Sequence, residues 1–160
     1  MPRFIAVLSP VLPGRRASLE AVVSHLPTDE KSPLATVPGI HYGRWLVVSR
    51  MGGELLSFSA VSDSPTHDFF PLLRDHMGDV VDEVWSHCTG WPGTRDEAAM
   101  ETWMEARTIE ASLRFSTWHA AVDEIRAALC RHAQVLQFAV AHQSLAPAPL
   151  QRAFLEEFGP

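Results

Sequence analysis

The chain has 160 residues and a mass of 17.7 kDa, a size that builds one core rather than two. Hydrophobic residues make up 46% and charged residues 20%, which excludes a wholly disordered chain. Thirteen Lys and Arg against 19 Asp and Glu give a net charge of −6 and speak against nucleic acid as a partner.

The predicted elements begin with Phe4–Val11, an apolar stretch of strand length closed by Leu12-Pro13-Gly14. Leu19, Val22, Val23 and Leu26 follow with helical spacing, with Ser18 as a candidate N-cap. Residues 27–38 carry three prolines and form a loop. Ile40–Val48 is rich in β-formers, and Leu55–Val61 alternates, so the two strands form a hairpin around Met51-Gly52-Gly53.

Ser64-Pro65 opens a helix that extends to about Cys88, with candidate breaks at Pro71 and Gly78. Its apolar stripe is Met77, Val80, Val81, Val84, Trp85 and Cys88. Gly90-Trp91-Pro92-Gly93 stops it. Thr94 and Glu97 fit a capping box for a further helix with Met100, Trp103 and Met104 inward. Ala111–Trp118 alternates and predicts a fourth strand. His119–Gln143 predicts a long helix with Val122, Ile125, Leu129, Leu136 and Val140 inward, broken at Pro147 and Pro149. Leu150–Phe158 closes the chain.

The order predicts an α+β fold: one ferredoxin-like domain over residues 1–160, β-α-β-β-α-β, with extra helices and a C-terminal helical extension. One face of its four-stranded antiparallel sheet is covered by helices. The other is mixed, with Ser57, Ser59, Arg114 and Ser116 on it, and predicts a homodimer with a cavity between sheets. No stretch approaches the length of a membrane span, and no cleavable leader is recognised, so the expected compartment is the cytoplasm with no membrane partner. Cys88 and Cys130 are expected to be buried thiols rather than a disulfide.

Gly39-Ile40-His41-Tyr42-Gly43-Arg44-Trp45 resembles a His-aromatic-x-Arg-Trp strand of uncharacterised bacterial domains. Asp63, Val84-Trp85-Ser86-His87-Cys88 and Gly90-Trp91-Pro92 fit the same plan. The resemblance covers residues 39–93 and implies a ferredoxin-like or dimeric α+β barrel fold. That superfamily includes haem peroxidases, cofactor-independent monooxygenases, and cyclases or isomerases of small aromatic metabolites. Where those domains carry an Asn-aromatic-Asp-Gly turn, this chain has Ala60-Val61-Ser62-Asp63-Ser64.

On strand two, alternation puts His41 and Trp45 on one face and Tyr42 and Arg44 on the other. Arg44 can hold a carboxylate or enolate through its planar fork, and His41 can act as a general base. The bland alternatives are an Arg paired to Asp63 or another acid, and a His bonded to backbone. Arg114 offers an oxyanion donor or an ion pair. His76, Asp79, Glu83 and His87 fall on one stripe of a continuous helix, the spacing at which imidazole and carboxylate share a metal. A solvated helix flank has the same pattern, and no metal is expected. A haem could take His132, with His87, His119 and His142 as further axial candidates, but there is no Cys-x-x-Cys-His attachment. Dinucleotide, P-loop and nucleophile-elbow motifs are absent, and Lys31, the only lysine, lies in a proline-rich loop.

The expected function is proton transfer on an apolar or aromatic small molecule, as an isomerase, cyclase or dehydratase, without a tightly bound cofactor. His41 or His87 is the expected acid/base, and Arg44 or Arg114 the anion stabiliser. Tyr42, Trp45, Ser57, Ser59, Trp91, Ser116 and Trp118 are the candidate substrate contacts. The competing readings are a haem protein and a non-catalytic ligand-binding or assembly subunit.

Overall fold

The computed structural model describes residues 2–50, 52–109 and 120–159. The chain divides into two compact units, Met1–Val122 and Asp123–Pro160.

The first unit holds an antiparallel sheet of β1 (Arg3–Pro10), β2 (Ile40–Arg50) and β3 (Gly53–Ser62), in the order β1-β3-β2. The hairpin closes at Arg50 opposite Gly53. From there Val47, Trp45 and Gly43 stand opposite Leu56, Phe58 and Ala60. On the other side of β3 the same residues meet Ser9, Val7 and Ile5 of β1. This is the inner face. Ile5, Val7, Leu56, Phe58 and Ala60 are all buried there.

The helices α1 (Arg16–His25), α2 (Thr66–Trp85) and α3 (Glu97–Glu105) bring the apolar residues that complete this core. The inward residues expected on α3, Met100, Trp103 and Met104, are all buried. On α2 the expected stripe is joined by Phe69, Phe70 and Leu73 at 0–1% exposure. Trp85 sits at the centre, with ring centroids 5.4 Å from Phe58, 5.9 Å from Trp45 and 6.0 Å from Trp91.

Three cap assignments change. Arg15, not Ser18, precedes α1, and the Ser18 hydroxyl donates to the Arg15 carbonyl. Pro65, not Ser64, is the residue before α2. Asp96 caps α3 by accepting the Ala99 N–H, while Thr94 bonds Asp82 instead. A carboxylate on the preceding helix satisfies Thr94, so the capping box never forms.

The break in α2 falls at Met77, with φ −150° and ψ 33°, beside Gly78; Pro71 is carried inside the helix. The kink divides the predicted stripe, because His76 lies before it and Asp79 and Glu83 after it. His87 lies beyond the helix end at Trp85. The expectation of one continuous metal-spaced row fails for that reason. Among the described residues, no group of three or more His, Cys, Asp or Glu is placed to hold a metal ion.

The predicted fourth strand, Ala111–Trp118, and its Arg114, Ser116 and Trp118 lie outside the described residues, as does His119. Just before them the chain runs antiparallel along the edge of β1. Thr108 pairs with Val7, Leu8 N–H donates to the Arg107 carbonyl at 3.0 Å, and Ile109 N–H donates to Ala6 at 2.8 Å.

The second unit is built by α4 (Val122–Ala141) and α5 (Pro147–Phe158). Pro147 starts α5 rather than merely breaking α4, because the first helical turn needs no N–H from it. The expected inward face of α4 holds at Val122, which is buried, and is corrected further along the helix. Leu129, Leu136 and Val140 are 64%, 53% and 69% exposed, and Phe138 is buried. Phe138 lies half a turn away and packs edge-on against Phe154 and Phe158 of α5 at 5.6 and 5.5 Å. The larger aromatic contact decides which face the hairpin closes on.

Cys88 is buried, and its desolvation pushes the thiol up to about 12, against the opposing pull of Arg107. Cys130 is exposed, so the expectation of two buried thiols holds only for Cys88; both are free. No helix among the described residues is long and apolar enough to cross a membrane.

Candidate functional site

The site is built where the sheet ends. Ile40 pairs with Ser62 and Tyr42 with Val61, so His41 is an extra residue in β2, a β-bulge. Ile40 keeps the inner face and Tyr42 the outer one. The bulge frees His41 from strict alternation, and its ring turns to the residue that follows β3. His41 Nε2 lies 2.9 Å from Asp63 Oδ1. The pair is sheltered, with the side chains 17% and 27% exposed.

Asp63 is held on every side. Its backbone N–H donates to the Gly39 carbonyl at 2.9 Å, and its Oδ2 accepts the Val122 N–H at 2.9 Å. Partial burial works to raise its carboxyl, but the hydrogen bonds from His41 and Val122 and the nearby positive charge outweigh it. Asp63 therefore lies below the ordinary aspartate value of 3.8. An ionised carboxylate only accepts, so Nε2 of His41 carries the hydrogen donated to it. That is the arrangement of an imidazole oriented for proton transfer.

The lowered carboxyl has a consequence for stability. The unfolded chain takes up the proton first, at the ordinary value, so Asp63 stabilises the fold fully above 3.8 and loses that contribution as pH falls through its lower folded value. Asp63→Asn is expected to cost about 1–2 kcal/mol near neutral pH, discounted for partial exposure. Urea unfolding of both proteins across pH checks this. The gap closes in acid, where the wild-type carboxyl is itself neutral; a gap that stays constant contradicts the assignment.

Gly39 has a structural duty here. Its φ is +72°, and a Cβ built on it meets Asp63 Cβ at 3.2 Å. Gly39→Ala is expected to cost about 1–2 kcal/mol for the left-handed backbone and to push Asp63 away from His41. Urea unfolding and the His41 ring resonances report both effects. An unchanged midpoint with unchanged ring shifts would show that Gly39 is not needed.

The other candidates fall into three places. Tyr42, Arg44, Ser57 and Ser59 share the outer sheet face: Arg44 stands opposite Ser59, Leu46 opposite Ser57, and Tyr42 opposite Val61. Trp45 stands on the inner face, 5.2 Å from Phe58. Trp91 lies between Trp85 and Trp103, and its indole N–H donates to Asp82 Oδ1 at 2.9 Å. The same Asp82 oxygen accepts the Thr94 N–H, and its Oδ2 accepts the Thr94 hydroxyl, so residues 91–94 are pinned to α2. His87 bonds through Nδ1 to the Glu83 carbonyl at 3.0 Å. His132 is exposed on α4, and His142 stacks on Phe138 at 4.2 Å.

Asp63 is the member of the pair that strand alternation undervalues, since alternation offers it only as a partner for an arginine. The hairpin carries the signal: with Arg50 opposite Gly53, register counting brings residues 40–41 to residues 62–63.

No family model, no curated protein and no solved structure matches this chain. The chemistry of the site rests on its geometry.

Proposed function

We propose that this protein is a small-molecule enzyme that moves a proton on an apolar or aromatic metabolite, in an isomerisation, cyclisation or dehydration. The observation that carries the reading is the sheltered His41–Asp63 pair at 2.9 Å. His41 Nδ1 takes the proton from substrate carbon and returns it. Asp63 holds the ring in one tautomer and stabilises the imidazolium that forms. His87, the other acid/base candidate, has a backbone carbonyl where His41 has a carboxylate. A carbonyl offers its imidazolium less than a full charge, so His41 is the stronger choice.

The finer architecture belongs to the same proposal. A ferredoxin-like sheet has room for a fourth strand beside β1, where residues 107–109 already pair. The outer face would then close on a second copy as a dimeric α+β barrel.

The test works whatever the product is. Small carbonyl and carboxylic acids with acidic C–H bonds are incubated with the full chain in deuterium oxide, and loss of C–H signal is followed by NMR. Exchange by the wild type and its loss in His41→Gln support the reading. Exchange that is undiminished in His41→Gln, or absent throughout, overturns it.

A further inference from the structure

We propose that the outer sheet face around Arg44 binds a carboxylic acid with an apolar or aromatic body. The proposal rests on the reading above only for what happens after binding. Arg44 is exposed near the middle of β2, and among the described residues it makes no ion pair and no hydrogen bond. The other arginines in ion pairs show what an available acid does: Arg16 pairs with Glu20 and Glu54, and Arg74 with Asp75 and Glu97. Along the three strands no acidic residue occupies an outer-face position, so Arg44 has no carboxylate of its own sheet to take.

The surroundings select the ligand. Ser59, buried at 8% exposure, stands directly across from Arg44, and the half-buried Ser57 one pair further on, each carrying a hydroxyl. Along β2, Arg44 lies between Tyr42 and Leu46, 50% and 46% exposed, and Phe4 across the sheet is 38% exposed. One guanidinium, two serine hydroxyls and the Tyr42 phenol among apolar neighbours are the composition of a small-ligand site. The planar fork of Arg44 matches a carboxylate through two parallel hydrogen bonds, and apolar neighbours weaken the competition from water. His41 is three residues back along the same strand, about 10 Å in extended backbone. An acid gripped at Arg44 with its body laid over Tyr42 would extend toward the end of the sheet that carries the dyad.

Phenylacetate and octanoate are titrated into the full chain, with phenylacetamide as the uncharged counterpart, by calorimetry and NMR. The acids are expected to bind about tenfold or more tightly than the amide. Arg44→Met abolishes that preference, and Arg44→Lys restores only part of it, because an ammonium lacks the fork. Equal binding of acid and amide, a preference that survives in Arg44→Met, or no binding of any acid at millimolar concentration overturns the proposal. So does a dimer, seen by sedimentation and split by Leu46→Glu, that leaves the face closed to all three probes. Arg44-dependent acid binding with deuterium exchange that ignores His41 overturns the proton-transfer reading alone. His41-dependent exchange without Arg44-dependent binding overturns this proposal alone.

Discussion

Trp85→Ala is expected to lower the stability of the Met1–Val122 unit by about 3–5 kcal/mol. The side chain is 0% exposed and touches the rings of Trp45, Phe58 and Trp91. Removing it takes away the transfer energy of the indole and leaves a cavity walled by aromatic rings that cannot collapse into it. A domain of this size holds about 5–15 kcal/mol in total, so the loss is a large share. Trp85→Phe separates volume from polarity. The Trp85 indole N–H is buried with no hydrogen-bond partner. Its removal therefore orphans no acceptor, and the smaller ring is expected to cost less than the alanine, because most of the volume remains. Urea unfolding of the three proteins checks the contrast. Equal losses for Ala and Phe would show that the indole is not the packing centre.

His41→Gln is expected to slow C–H exchange by about 10²–10⁴-fold, the range for removal of a positioned general base. Glutamine keeps a polar side chain of similar reach, so Asp63 retains a donor and the fold retains its clamp. The loss therefore reports chemistry rather than unfolding, and an unchanged urea midpoint confirms it. Asp63→Asn is expected to lose less. It leaves the imidazole in place but removes the charge that favours imidazolium and fixes the tautomer. Its residual rate falls between those of the wild type and His41→Gln.

The inner face of the sheet was legible because one physical rule governs it. Alternation in Leu55–Val61 sends Leu56, Phe58 and Ala60 to the helices and Ser57 and Ser59 outward, and the register agrees. The α3 stripe was legible for the same reason, since its apolar residues fall on one face only. On α4 that rule fails. Apolar residues occupy two opposite faces, and spacing alone cannot say that Phe138 outweighs Leu129, Leu136 and Val140. The kink at Met77 sits beside the glycine that marked it, but its consequence for the histidine row depends on backbone angles that composition does not encode.

At the site, His41 and Arg44 were visible as residue types on a strand. The partner of His41 was not. Strict alternation puts His41 with Trp45, whereas the bulge takes it out of the pleat and delivers it to Asp63. A bulge depends on how two strands fit together, and neither strand shows it by itself. The left-handed Gly39, which lets the chain approach Asp63, is part of the same local device.

The most direct test of the account is a double-mutant cycle on deuterium exchange. Rates are measured for the wild type, His41→Gln, Asp63→Asn and the double variant. If Asp63 acts only through His41, the double variant exchanges no more slowly than His41→Gln alone, and the two losses are far from additive. Losses that simply add, or a His41→Gln protein that exchanges at the wild-type rate, would contradict the account.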